Sequence, residues 1–168
     1  VNLASRLEGL CKVYGVGIIC SQATHDQLPR DAGFVSRRLD LVQVKGRSEP
    51  TTIYELMGKQ DPTQLDGGPT GVTPARRAHA QRYEEALQAY QSAQFDDTAR
   101  LAEDLLRHRP EDLAAITLLE RARTHTQQPV DDTGKQTSEK EGKAEGVVAM
   151  SAADDLRGWT GVMAMTDK

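Results

Sequence analysis

Asn2 and Arg6 stand four residues apart in the opening stretch VNLASRLEGLCKVYG. On a helix turning roughly 100° per residue, that spacing sends both side chains to one side of the axis. An amide and a guanidinium there can reach into an interface and hold a polar group, the guanidinium as a permanently charged planar fork of donors. The same residues suit plainer duties, because Asn at a helix start is a common N-cap and Arg one turn on is a common solvated charge. Spacing alone leaves both readings open. Lys45, in QVKGR, sits beside a glycine turn and is either a point charge for an anion or an ordinary exposed lysine.

The elements that must carry these residues follow from periodicity. Leu3, Leu7, Leu10, Cys11 and Tyr14 recur on one helical face that Gly15 closes, and Asn2 and Arg6 flank this stripe. VGIIC is a short apolar run with β-branched residues and predicts a buried strand. SQATHDQLP opens on Ser21, a good cap, and predicts a short helix stopped near Pro29. FVSRRLDLVQVKGRSEPTTIYEL then predicts a β-hairpin turning through Gly46 and Pro50, with Arg37 and Arg38 on a solvated strand edge and Arg47 at the surface. Helix, strand, helix and hairpin make half of an α+β sandwich whose helices cover one sheet face. About 57 residues are too few to close such a core alone.

Residues 58–77 combine Gly, Pro, Thr and Asp without periodicity and form a linker. Three helices follow, near 78–92, 95–108 and 111–125, with breaks at Ala93-Gln94 and Pro110. Their expected core is Leu87, Tyr90, Phe95, Leu101, Leu105, Leu106, Leu113 and Leu118, while His79, His108 and His125 are isolated and expected at the surface. Residues 127–150 are polar, charged and expected to be disordered, and 151–168 regain apolar character around Trp159, Val162, Met163 and Met165.

The formal net charge is -4, with the acidic excess beyond residue 58, so the chain lacks the basic face that a phosphate backbone demands and nucleic acid is not an expected partner. Cys11 and Cys20 lie in predicted core elements without CxxC or clustered histidines, and are expected as buried thiols in a reducing compartment, with a disulfide as the alternative. No apolar run approaches the ~20 residues that span a bilayer. The abrupt helical start without methionine suggests the C-terminal piece of a longer protein.

VNLASRLEGLCKVYG and LDLVQVKGRSEPTTIYEL, in that order, resemble class III nucleotidyl cyclases, the adenylate and guanylate cyclase family, over residues 1 to about 57. Asn2 and Arg6 match the two positions of the family's N-x-x-x-R motif, and Lys45-Gly46 match the Lys-Gly step of its closing hairpin. The resemblance implies the C-terminal half of a ferredoxin-like cyclase sandwich acting on ATP or GTP. It makes Asn2 and Arg6 catalytic and Lys45 a ligand of the β- and γ-phosphates. It further implies Mg2+ or Mn2+ held by two aspartates that precede the Asn, outside this chain, and a site completed by a homodimer partner. The fragment alone would then be inert.

EEALQAYQSAQFDDTARLAEDLLRHRPED resembles one tetratricopeptide-type unit, with Ala86, Phe95 and Pro110 in place and Thr98 where a small alanine is usual. This all-α helical hairpin module cannot bury its own face and is expected to dock on the following helix, the cyclase region or a dimer mate, with a protein partner conceivable. The arrangement resembles membrane-anchored bacterial cyclases, of which this would be a cytoplasmic portion. Two other roles fit: a cyclase-homology domain that has lost catalysis and serves dimerisation and partner docking, or a free-standing helical adaptor supported by residues 1–57.

Overall fold

A computed structural model describes residues 3–43, 49–60, 71–126 and 161–164. Helix α1 (Leu3–Tyr14) leads into strand β1 (Ile19–Ser21), a one-turn helix α2 (Gln22–His25), a 3-10 turn (Arg30–Ala32) and strands β2 (Phe34–Gln43) and β3 (Thr51–Lys59). Helices α3 (Pro74–Gln91), α4 (Phe95–His108) and α5 (Leu113–Thr126) follow, and a two-residue strand β4 (Met163–Ala164) completes the described chain. The protein is mixed α and β. Three antiparallel strands pair in the order β1, β3, β2, and β4 joins the outer edge of β2 in parallel through Val42–Met163 and Gln43–Ala164.

Local chemistry accounts for the element ends. Ser21 caps α2 by accepting from the Thr24 amide, and Thr73 caps α3 by accepting from the Arg76 amide, with Pro74 at the first helical position where its missing N–H costs nothing. α3 therefore starts inside the stretch whose composition reads as linker. Ala93 takes a left-handed φ of 57° to turn α3 into α4. Asp112 caps α5, its Oδ1 accepting from the Ala114 amide at 3.2 Å. β1 is shorter than the apolar run suggests, with Ile18 left 55% exposed.

β2 is the strand that organises the molecule. Strict alternation would put Leu39 and Asp40 on opposite faces. A register shift against β3 between Arg38 and Asp40 changes this, and Arg37, Leu39, Asp40 and Val42 are all buried. On β3, Ile53 and Glu55 are buried beside them. Tyr54 takes the opposite face, stacked on the His25 ring at 3.9 Å and donating to Gln22.

One apolar cluster joins both ends of the chain: Leu7, Leu10 and Tyr14 of α1, Leu39, Val42 and Ile53 of the sheet, Tyr83 and Leu87 of α3, Leu118 of α5 and Met163 of β4. The helices thus dock on the sheet and on α1. Of the residues expected as their core, Leu87, Tyr90, Leu105 and Leu118 are buried, and Phe95, Leu101 and Leu106 pack against the cluster. Leu113 is 42% exposed, although its side chain lies against Gly15. Thr98, at the usual alanine position, is fully buried because its hydroxyl donates back to the Gln94 carbonyl at 2.8 Å. Cys11 and Cys20 are free thiols, half-buried rather than buried, and burial pushes the Cys20 pKa up.

Gly15 ends α1 at φ +64°, and a Cβ there would come within 3.0 Å of Leu113 Cγ and Cδ1. Gly15→Ala should therefore destabilise the chain by more than about 1 kcal/mol, by left-handed strain and by pushing α5 from α1. Urea unfolding would show this as a lower midpoint at unchanged slope; an unchanged midpoint would mean that the two elements do not share this contact.

Candidate functional site

Of the residues singled out by type and spacing, Arg6 lies on α1, half-buried beside the Leu7, Leu10 and Tyr14 stripe. Asn2 and Lys45 lie outside the described residues, the latter in the segment 44–48 between β2 and β3. Arg6 is therefore placed on a helix whose opposite end is tied into the core.

That tie is a buried polar centre which spacing did not reveal. Asp40 on β2 is 0% exposed. Its Oδ2 accepts from the Tyr14 hydroxyl at 2.7 Å and from Arg121 Nη1 of α5 in a short ion pair. The Arg121 guanidinium also lies 4.5 Å above the Tyr90 ring, and Met163 Sδ sits 3.0 Å from the Tyr14 hydroxyl. Burial, then the Asp40 charge, holds the Tyr14 pKa well above its ordinary value, so it remains a donor. Burial on its own favours loss of the Arg121 proton, but the Asp40 charge outweighs it and the guanidinium is held more firmly charged.

A second buried network lies along the same strand. Arg37 donates through Nε to Glu55 at 2.9 Å and through Nη1 to Asp112 at 2.7 Å, its guanidinium 4.7 Å above the Tyr83 ring. His79 Nε2 reaches Asp112 Oδ2 at 2.8 Å, and Arg76 Nη2 lies 3.5 Å from Glu55. Arg37 was expected on a solvated edge and His79 at the surface; both are buried. Their partners come from elements 75 and 33 residues away in sequence, which no local pattern records. Arg38, also expected at the edge, is half-buried, its amide donating to Glu84 at 2.6 Å.

Among the described residues, no group of three or more His, Cys, Asp or Glu side chains is placed to hold a metal ion. No described helix is long and apolar enough to cross a membrane.

Over 58 residues, 34% of its length, the chain is 47% identical to the terminal-differentiation-specific adenylate cyclase of Dictyostelium discoideum. Over 57 residues it is 42% identical to an adenylate cyclase of Anabaena cylindrica. Over 58 residues it is 43% identical to adenylate cyclase 1 of Rhizobium meliloti. A third of this chain is adenylate cyclase-related. The aligned region spans only 3%, 11% and 8% of those relatives' own lengths, in the same order. No protein-family model matches the chain, and no solved structure does so at a significant level.

Removing Arg37 would leave the Glu55 and Asp112 carboxylates buried without their main counter-charge. Arg37→Met should cost on the order of 3–5 kcal/mol in denaturant unfolding. Asp112 adds a pH signature. Burial by itself would raise its pKa, but Arg37 and His79 more than offset this and hold it below the ordinary carboxylate value. A carboxyl with a depressed folded pKa contributes stability that is complete above its unfolded value of about 3.9 and is lost as pH falls through the folded value. Unfolding free energy should therefore decline with acid below about pH 4, and Asp112→Asn should flatten that decline. An equally steep decline in the variant would remove Asp112 from the account.

Proposed function

We propose that this chain carries the C-terminal part of an adenylate cyclase catalytic domain, half of a cyclase sandwich that forms cyclic AMP and pyrophosphate from ATP within a longer polypeptide. The observation that carries the reading is the 42–47% identity of a third of the chain to three adenylate cyclases, together with Arg6 on α1, whose far end is anchored in the core. The names of these relatives favour ATP over GTP.

The reaction joins the ribose 3′-oxygen to the α-phosphorus, breaks the bond from that phosphorus to the bridging oxygen of the β-phosphate, and releases the 3′-hydroxyl proton. Negative charge spreads over the phosphoryl oxygens as the bond changes proceed. Arg6 is assigned to those oxygens, because a guanidinium is always charged and its donors need no reorganisation when charge develops. Asn2, one turn earlier, is assigned to the ribose, fixing the attacking hydroxyl in line. Lys45 is assigned to the β- and γ-phosphates, for which a flexible point charge suffices. In this reading Mg2+ or Mn2+ supplies Lewis-acid stabilisation from ligands outside the described residues, and a second copy of the domain completes the site.

Cyclic nucleotide formation by the chain extended with its upstream coding sequence, offered ATP and GTP separately with Mg2+ or Mn2+, tests the proposal. Cyclic AMP should form, and Arg6→Ala should lower turnover by ~100-fold. A loss below about threefold would remove Arg6 from the reaction. No product from a folded dimer would leave the chain a cyclase-related binding module.

A further inference from the structure

Three elements meet at the Asp40 carboxylate, α1 through Tyr14, β2 through Asp40 itself and α5 through Arg121, and β4 adjoins them through Met163, whose Sδ lies 3.0 Å from the Tyr14 hydroxyl. The adjoining contacts lead the same way. Gly15, the residue after α1, is packed on Leu113 of α5, and Gly161, at φ +62°, is packed on Gln91 at the end of α3, where a Cβ would come within 2.9 Å. α1 is therefore held at its C-terminal end by the helical segment and the tail strand together.

We propose that Asp40, Arg121 and Tyr14 are positioning residues. Through them the C-terminal helices set the orientation of α1 and hence of Arg6, so that the helical segment is a working part of the cyclase-related region. The inference rests on the proposed role of Arg6 for its catalytic consequence, but its structural half does not. The physical reason is directional. Apolar packing between α1 and α5 tolerates small sliding, whereas a buried carboxylate sharing one oxygen between a hydroxyl and a guanidinium fixes three elements at hydrogen-bond precision. A displacement near 1 Å at a group aimed at a transition state can cost on the order of 100-fold in rate.

The test combines amide hydrogen exchange of the whole 168-residue chain with steady-state kinetics of the chain extended upstream. The variants are Arg121→Met, Arg121→Lys, Tyr14→Phe and, as a control on an exposed position of α4, Arg107→Met. Arg121→Met should speed exchange of the α1 amides between Leu7 and Tyr14 by about tenfold or more, and lower kcat by about tenfold with KM within about twofold of wild type. Arg121→Lys should recover part of both, and Arg107→Met should change neither. If Arg121→Met does not fold, Tyr14→Phe, which keeps the ring and removes only the hydroxyl, should still speed α1 exchange by at least about threefold. Unchanged α1 exchange in the folded variants would overturn the proposal, as would α1 exchange that rises while kcat of an active enzyme stays constant. If the extended wild-type chain makes no cyclic nucleotide, the catalytic reading of Arg6 fails by itself and the exchange data alone decide whether α1 is positioned through Asp40.

Discussion

A carboxylate with no exposure to water dictates how this chain assembles. Buried in an apolar layer, the Asp40 carboxylate requires a counter-charge and donors, because an isolated buried charge costs far more than a domain's net stability. The chain supplies them from far away in sequence, Tyr14 from α1 and Arg121 from α5. The sheet, α1 and α5 must therefore come together as a set. Desolvation takes back most of what a buried ion pair gains, so its main consequence is to penalise any other docking, which would strand both charges.

The Arg37, Glu55, Asp112 and His79 network applies the same constraint at a second point along β2. Two fixed points on one strand determine position and angle, whereas one would leave the helices free to pivot. Between them the apolar cluster provides the driving force: residues of α1, the sheet, α3, α5 and β4 pack together, and hydrophobic burial is strong but non-directional. The hydrophobic layer thus brings the helical segment down on the sheet, and the two ionic centres select the register. A segment that looks like an appendage in composition is part of the same core.

Much of the local structure could be read from the residues. The α1 stripe, the Ser21 cap, the hairpin and the limits of α4 all depend on spacings within one element, and periodicity and capping act at that range. What escaped depends on partners brought together by the fold. Arg37 and His79 look like surface residues because Asp112, the acid that both share, lies 75 and 33 positions away. Asp40 was hidden by a different cause. In LDLV, strict alternation sends it away from Leu39, and only the register shift beside it turns it inward. A single acid inside an otherwise apolar run was the available signal. Of the candidate catalytic residues, Arg6 could be assigned to a helix from sequence, while Asn2 and Lys45 fall outside the described residues.

The two ends of α1 carry different burdens. Its C-terminal end holds Tyr14 and the Gly15 turn, both fixed by packing and hydrogen bonds; toward its N-terminal end lies Arg6, two turns away. An α-helix is stiff over 12 residues, a length of roughly 18 Å at 1.5 Å per residue, so a constraint at one end is transmitted to the other with little loss. A long guanidinium side chain gains little from being near an anion if its base can drift, since rotamer freedom would absorb the advantage. Donors aimed at a developing charge are effective in proportion to how completely they are held before the charge appears. Anchoring α1 through a buried carboxylate at its rear, two turns from Arg6, would meet that requirement in the proposed role. On the proposal above, the helices beyond residue 73 would contribute to the role assigned to Arg6, although they lie outside the stretch that resembles a cyclase.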